Sequence, residues 1–172
     1  PCIRTLASYL KANGHQVRMI FLPADNYTNR FEPGYIKQMD QALVEDLVKL
    51  VADCDVVGVS FLTSMFDVAV QATRAIQKAE PDKFIVWGGF HPSVRPDECA
   101  RWAEYVAIGD SEDLILQLCE RLDAGDQDLA DIKGLVWRQG DKVIRNAPGS
   151  LEQNLDDYPF PDFGVEDHHI LF

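Results

Sequence analysis

Residues 84–96 read FIVWGGFHPSVRP, and this stretch shows how the chain folds. The β-branched and aromatic residues at its start predict a buried strand. The strand ends at Gly88 and Gly89, where the side chains are lost altogether, and an aromatic residue and a histidine follow at once. Two glycines at this point allow either a sharp turn of the backbone or the close approach of a flat group to it. The ends of the neighbouring strands decide between the two.

Strands and helices alternate along most of the chain. The predicted strands lie at 16–22, 55–62, 83–89 and 104–110. The predicted helices that follow them lie at 41–54, 64–81, 96–103 and 111–125. Such alternation predicts an α/β fold: a Rossmann-like or flavodoxin-like parallel sheet of about five strands, with helices on both faces and right-handed crossovers.

The pattern changes after residue 132. The sequence GLVWRQGDKVIRN at 134–146 predicts a β-hairpin that turns at 139–141, and the acidic, proline-containing residues 151–163 are typical of a linker. Because the chain starts inside a helical pattern, we expect the first strand of the domain to precede residue 1. The predicted units are a Rossmann-like domain at 1–132, a hairpin extension at 133–150 and a linker at 151–172.

The composition excludes several classes of protein. The formal net charge of −12 argues against nucleic acid or an anionic membrane as the main partner. The sequence contains no run of about 18 apolar residues, so we expect no transmembrane helix. The cysteines show no CxxC spacing, so we expect no metal or iron–sulfur site in this chain and four reduced thiols in a cytoplasmic protein. These cysteines are Cys2, Cys54, Cys99 and Cys119.

Small or hydroxylated residues mark three neighbouring strand ends. The three ends read Ser60-Phe61-Leu62-Thr63, Gly88-Gly89-Phe90-His91 and Gly109-Asp110-Ser111-Glu112. In an open parallel sheet, ligands bind beyond the carboxyl ends of the strands. We therefore predict a slot along this edge, in which Ser60 and Thr63 can hydrogen-bond a buried polar group. A tight turn at the two glycines remains the alternative.

The ordered motifs resemble one family. Ser60-x-Leu62 followed by Gly88-Gly89 resembles the motif pair of the cobalamin-binding domain found in methionine synthase and in cobalamin-dependent radical S-adenosylmethionine enzymes. The sequences GGFHPSVRPDE at 88–98 and VAIGDSE at 106–112 are similar to motifs of the radical branch, as are the hairpin and the acidic linker. That branch includes the anaerobic magnesium-protoporphyrin monomethyl ester cyclase.

The resemblance implies a ligand and a binding mode. Cobalamin would bind base-off, with its nucleotide tail inserted in the slot beside Ser60, Leu62 and Thr63, and the two glycines would give the flat base room. The cofactor-binding residues implied in this way are Ser60, Phe61, Leu62, Thr63, Gly88, Gly89, Phe90, His91, Gly109, Asp110 and Glu112.

Several of these residues have a second interpretation. His91 either contacts the corrin at the mouth of the slot or is a loop residue that caps nearby carbonyl groups. Glu112 either hydrogen-bonds cofactor amides or is an acidic residue in the first turn of a helix, where the helix dipole favours it. The rings of Phe61 and Phe90 can also fill the slot. The domain would then be a cobalamin-free scaffold, and an unrelated flavodoxin-like binding domain is a further alternative.

The chain contains no residues for radical chemistry of its own. The radical enzymes hold an iron–sulfur cluster with CxxxCxxC, which does not occur here. The resemblance therefore implies a parent methyltransferase or oxidative cyclase, whose radical domain in the same polypeptide binds the cluster and S-adenosylmethionine. The DxHxxG motif that supplies a lower cobalt ligand in many cobalamin domains would place its final glycine at Cys2. We therefore assign neither a lower ligand nor a catalytic residue.

Overall fold

The computed structural model describes residues 3–23, 38–126, 128–140, 142–149 and 155–171. The helices are α1 Ile3–Ala12, α2 Gln41–Val51, α3 Phe66–Ala79, α4 Phe90–Val94, α5 Pro96–Cys99 and α6 Glu112–Asp123. The strands are β1 Met19–Phe21, β2 Val56–Ser60, β3 Phe84–Gly88, β4 Tyr105–Ala107, β5 Leu135–Gln139, β6 Lys142–Arg145 and β7 His168–Ile170. Short 3₁₀ helices lie at Thr63–Met65 and Leu155–Asp157. Cys2 and the predicted turn residue Asp141 lie outside the described residues.

The main sheet has five strands in the order β2-β3-β4-β5-β6. The first three are parallel to one another, and β5 pairs with β4 and with β6 in antiparallel fashion. The predicted α/β fold and the hairpin at 134–146 are both confirmed. The hairpin is part of the main sheet, because Val136 of β5 pairs with Val106 of β4. The sheet is therefore mixed, with its antiparallel strands on one side.

Strand β1 belongs to a separate two-stranded parallel sheet with β7. Met19 pairs with His168, and Phe21 pairs with Ile170. The strand predicted at 16–22 therefore exists, but its partner comes from the segment that we predicted to be a linker. A strand of three residues carries no detectable sequence period, which is why the pattern of residues 151–172 did not reveal β7. A continuation of this segment into a further domain stays a prediction.

Two apolar layers cover the main sheet. Side chains of β3 alternate: Ile85 and Trp87 face one layer and Val86 faces the other, as expected for a pleated strand. The first layer is formed with α2, α3 and α5, and the second with α1 and α6. Helices therefore pack on both faces, as predicted. None of the helices in the described ranges combines the length with the apolar composition needed to cross a lipid bilayer.

The cysteines within the described ranges are free thiols. Burial raises the pKa of Cys99 to about 12 and that of Cys119 to about 11, because a thiolate is poorly solvated in the protein interior. Cys54 shows a rise in the same direction and for the same cause. All three are therefore disfavoured as thiolates, and the reduced state of the cysteines in the cell stays a prediction.

Candidate functional site

The ends of β2 and β3 lie side by side. Ser60 pairs with Gly88 in the sheet register. Beyond this pair the two loops stay joined, since the backbone N–H of Phe61 donates to the carbonyl of Gly88 at 3.3 Å. The backbone N–H of His91 in turn donates to the carbonyl of Phe61, also at 3.3 Å. We call residues 60–63, 88–91 and 109–112, the three strand ends, the strand-end edge.

The two glycines that end β3 differ in what the protein requires of them. Gly89 has φ +92° and ψ −163°, a conformation essentially restricted to glycine. A Cβ atom on Gly89 would also lie 2.7 Å from Ser60 Oγ and 3.0 Å from the Phe61 nitrogen. A Cβ atom on Gly88 would meet only the Ala107 Cβ, at an ordinary 3.8 Å. The turn therefore explains Gly89, whereas no contact within the described part of the chain explains Gly88.

The strand-end edge presents apolar and hydroxyl groups to solvent. Leu62 is 61% exposed and Phe90 is 62% exposed, although both are large apolar side chains. Ser60 and Thr63 are exposed beside them. Exposed apolar side chains among a few polar groups are typical of surfaces that bind a ligand with an apolar body and polar substituents.

Phe61 and Phe90 flank the same edge but lie in different environments. Phe61 is buried, with its ring centroid 5.0 Å from that of Trp87 in an edge-to-face arrangement and 6.4 Å from that of Phe66. Phe90 extends into solvent. The ring of Phe61 is therefore part of the core, whereas that of Phe90 is exposed, and contact between either ring and a cofactor stays a prediction.

His91 lies in the interior, directly beneath the edge. Its side chain is 4% exposed, and its ring lies 5.6 Å from that of Phe61 and 5.0 Å from that of Phe66. Nδ1 is 3.1 Å from the Thr63 hydroxyl, within hydrogen-bond distance. Nε2 is buried without a hydrogen-bond partner, and the Glu98 carboxylate is 3.9 Å away. Contact between His91 and a cofactor stays a prediction.

The third strand end is joined to the second through Ser93. The Ser93 hydroxyl donates to the carbonyl of Gly89 at 2.9 Å and accepts from the N–H of Gly109 at 3.1 Å. Ser93 was not among the predicted site residues. No helix was predicted at 90–94, so the spacing His91-x-Ser93, which places the two side chains on opposite sides of the observed helix, gave no signal in the sequence.

Glu112 is a buried acid at the start of α6. It is 3% exposed, and its Oε2 accepts a hydrogen bond from the backbone N–H of Ser111 at 3.1 Å. This position in the first helical turn favours a carboxylate. Asp110, two residues before it, is half-buried. The backbone therefore satisfies one oxygen of Glu112, and the predicted contact with cofactor amides stays a prediction.

Two cavities lie away from the strand-end edge. One of about 620 Å³ is bordered by Arg101, Glu104 and Arg138, and one of about 360 Å³ is bordered by Lys11, Asp162 and His168. Neither includes a residue of the three strand ends. Within the described part of the chain, no group of three or more His, Cys, Asp or Glu side chains is placed to hold a metal ion.

Comparison with known families identifies the domain. The sequence profile of the B12 binding domain matches residues 2–118, which is more than half of the chain. The chain belongs to the B12-binding domain family. The predicted relationship to cobalamin-binding domains is therefore confirmed, and the strand-end edge lies within the matched residues.

Several similar proteins are longer than this chain. It is 28% identical over 125 residues to the uncharacterized methyltransferase PH0819 of Pyrococcus horikoshii, a match that covers 70% of this chain and 27% of that protein. The radical S-adenosylmethionine methyltransferase TsrM from Kitasatospora setae, solved with cobalamin and an iron–sulfur cluster bound, aligns with a TM-score of 0.65 at 19% identity. That alignment covers 92% of this chain and 27% of TsrM.

A second solved structure shows the same fold. The cobalamin-dependent S-adenosylmethionine radical enzyme OxsB aligns with a TM-score of 0.65 at 16% identity, over 92% of this chain and 21% of OxsB. The chain thus spans about a quarter of the length of these three proteins.

Proposed function

We propose that the chain binds cobalamin base-off at the strand-end edge, with the nucleotide tail lying along Ser60 and Gly88. The observation that carries the proposal is Gly88, at a position where the fold tolerates a Cβ atom and the sequence has none. A flat base can lie against the end of β3 only if the residue there has no side chain. Membership of the B12-binding family supports cobalamin as the ligand.

The exposed side chains of the edge suit different parts of the cofactor. The hydroxyls of Ser60 and Thr63 would hydrogen-bond polar groups of the nucleotide tail. Leu62 and Phe90 would cover its apolar surface, which removes both side chains from water. Gly109 and Asp110 would form the far side of the site. Bound cobalamin supplies a cobalt ion that can carry a methyl group.

Three of the predicted residues lie beneath this surface. Phe61, His91 and Glu112 are each less than a tenth exposed. We propose that they support the exposed residues from below. None of the described histidines is assigned as a lower ligand of cobalt.

The whole polypeptide is proposed to be a radical S-adenosylmethionine enzyme. Its radical domain would hold an iron–sulfur cluster and S-adenosylmethionine and would face the cobalamin bound at the strand-end edge. Methyl transfer is the reaction supported by the names of PH0819 and TsrM. Oxidative cyclisation is the alternative, and the substrate would be held outside the chain described here.

The direct test is a titration of the protein with hydroxocobalamin and with cob(II)alamin, followed by absorbance and calorimetry. We expect saturable binding with a base-off spectrum. Gly88→Val should weaken binding by at least about tenfold, because the added methyl groups take the space of the base. Gly58→Val is the matched control, since Gly58 lies in β2, away from the edge, and a Cβ atom there meets nothing within 4 Å.

The two variants separate the possible outcomes. Equal binding by both variants would contradict the placement of the base beside Gly88. A folded protein that binds neither form of cobalamin would instead favour the cobalamin-free scaffold.

A further inference from the structure

Helix α4 connects all three strand ends although it has only five residues. It begins directly after Gly89, at the end of β3. From there His91 reaches back to Thr63, beyond the end of β2, and Ser93 reaches across to Gly109, beyond the end of β4. Successive helical residues are rotated by about 100°, so two residues separated by one point in nearly opposite directions. The spacing His91-x-Ser93 therefore lets one helical turn bind both neighbouring loops.

We propose that His91 and Ser93 are positioning residues that hold the three strand ends as one rigid edge. The proposal deepens the proposed function, because cobalamin is the ligand whose binding the rigid edge would favour. Loops that are already ordered lose less conformational entropy when a ligand binds.

The contacts of His91 join the β2 and β3 ends in three ways. Its backbone N–H donates to the carbonyl of Phe61, and its ring packs beside Phe61 and Phe66. Its Nδ1 bonds the hydroxyl of Thr63. The buried ring and its hydrogen bond therefore constrain the loop that carries Leu62 and Thr63 from below.

The ring also determines how Thr63 meets a ligand. The carboxylate of Glu98 lies 3.9 Å from Nε2 and, when ionised, accepts hydrogen bonds and donates none. We therefore assign the ring hydrogen to Nε2, which leaves Nδ1 to accept from the Thr63 hydroxyl. The Thr63 oxygen is then left to accept a hydrogen bond from a ligand N–H or O–H group.

Ser93 completes the connection on the other side. Its single hydroxyl hydrogen is donated to the carbonyl of Gly89, and its oxygen accepts from the amide of Gly109. Because serine has only one hydrogen to donate, none is left for a ligand. Ser93 therefore acts through the two loops that it joins.

The test measures whether a mutation at one strand end changes hydrogen exchange at another. Ser93→Ala removes the contact on the β4 side, and His91→Phe keeps a ring between Phe61 and Phe66 but removes both nitrogens. If the edge is one unit, Ser93→Ala should speed hydrogen exchange of the Phe61 amide, and His91→Phe should speed that of the Gly109 amide. Loss of one hydrogen bond corresponds to an effect of about threefold to tenfold. Affinity for hydroxocobalamin should fall by a similar factor.

Two conservative variants serve as controls. Ser93→Thr keeps the hydroxyl, and His91→Asn places an amide near the position of Nδ1, so both should restore slow exchange on the far side. Exchange that changes only on the mutated side would overturn the proposal. Weaker cobalamin binding without any far-side change would also overturn it, because the residues would then contact the cofactor directly. Far-side changes in a protein that binds no cobalamin would support the rigid edge and contradict the proposed function.

Discussion

The strand-end edge and the C-terminal segment are held in place by different kinds of interaction. At the edge, Phe61 and Gly88 join two loops through backbone hydrogen bonds, and buried aromatic rings pack beneath them. At the other end, residues 162–171 pair with β1 through the backbone of β7 and contact α1 through partly exposed charges. There the Lys11 ammonium lies 3.0 Å from Asp162 and 2.9 Å from Asp167. We call this second region the tail clamp.

Each region contains one histidine with a buried nitrogen that has no partner. His91 Nε2 lies 3.9 Å from the Glu98 carboxylate, and His168 Nε2 lies 3.8 Å from that of Asp162. The Nδ1 atoms differ, because that of His168 lies 3.3 Å from the Arg4 guanidinium, which can only donate. The His91 ring thus packs between two aromatic rings and bonds a hydroxyl, whereas the His168 ring meets one aromatic ring, that of Phe21, and lies beside a guanidinium. We expect the clamp to respond to salt more strongly than the edge does, and to respond to acid through the carboxylate of Asp162.

The largest expected effect on stability is a difference between Gly89 and Gly88, the two glycines of the edge. Gly89→Ala should lower the free energy of unfolding by about 3 kcal/mol, because the backbone conformation is restricted to glycine and the new Cβ atom meets Ser60 and Phe61. Gly88→Ala should change it by less than about 1 kcal/mol, since its Cβ atom makes only an ordinary contact. Urea unfolding followed by circular dichroism measures both. Equal losses would show that the turn requires both glycines, which removes the main support for the ligand site.

The next effect concerns the core beneath the edge. The indole N–H of the fully buried Trp87 donates to the Thr73 hydroxyl at 2.8 Å. Thr73→Val leaves this donor unsatisfied at nearly constant volume and should cost about 1–3 kcal/mol of unfolding free energy. Thr73→Ser keeps the acceptor and should cost less. A neutral Thr73→Val would mean that packing alone holds Trp87 beneath Phe61.

The sequence revealed the elements better than it revealed their partners. Valine-rich runs and helical spacing predicted β2, β3 and α3, and the change of pattern predicted the hairpin. The partner of β1 was missed, because β7 is only three residues long and its pairing depends on contacts distant in the chain.

Side-chain direction in the loops was equally hard to predict. Phe61 and Phe90 follow similar motifs, yet Phe61 is buried and Phe90 is 62% exposed. Residue alternation reports direction only while the strand continues, and both residues lie just beyond a strand end. The glycine turn was foreseeable from sequence, whereas the link from Ser93 to Gly109 required coordinates.

The tail clamp should weaken where the edge does not. Lys11→Met removes the cation that lies between Asp162 and Asp167 and should speed hydrogen exchange in β7 by about twofold to fivefold. Added salt at 1 M should act in the same direction, because half-exposed ion pairs are screened. Exchange in β2 and β3 serves as the internal control. Equal changes in both regions would contradict the independence of edge and clamp.

Acid should open the clamp for a reason that can be assigned to Asp162. The hydrogen bond from Lys11, followed by that from the Gly164 N–H, holds the pKa of Asp162 below its ordinary value. The unfolded chain therefore takes up this proton first as the pH falls. The stabilisation of the clamp by ionised Asp162 is complete above the ordinary carboxyl pKa of about 4. It is lost as the pH falls through the lower pKa of the folded state. Asp162→Asn should remove this part of the pH dependence of exchange in β7, and an unchanged profile would assign it to another group.

The smallest effect on stability is expected from Tyr9 of α1, which contacts Asp113 of α6 and Tyr158. The Tyr9 hydroxyl donates to Asp113 at 2.6 Å, and the Tyr9 ring lies 5.2 Å from that of Tyr158. This hydrogen bond, with some help from burial, raises the pKa of Tyr9 to about 12. Its stabilising effect is therefore complete below the ordinary tyrosine pKa of about 10 and is lost as the pH rises through about 12. Tyr9→Phe should cost about 1 kcal/mol or less, because the ring packing stays while one half-exposed hydrogen bond is lost.

Absorbance of tyrosinate during an alkaline titration, together with urea unfolding at neutral pH, checks both parts of the Tyr9 prediction. Tyr9→Phe should remove one of the late-titrating groups, while Tyr105, whose pKa burial also raises to about 12, continues to titrate in the same range. A loss of stability as large as that of Thr73→Val would show that the contact with Asp113 carries more of the fold than its exposure suggests. The distinction between strong contacts buried beneath the edge and weak contacts at the solvent-facing periphery would then no longer hold for α1.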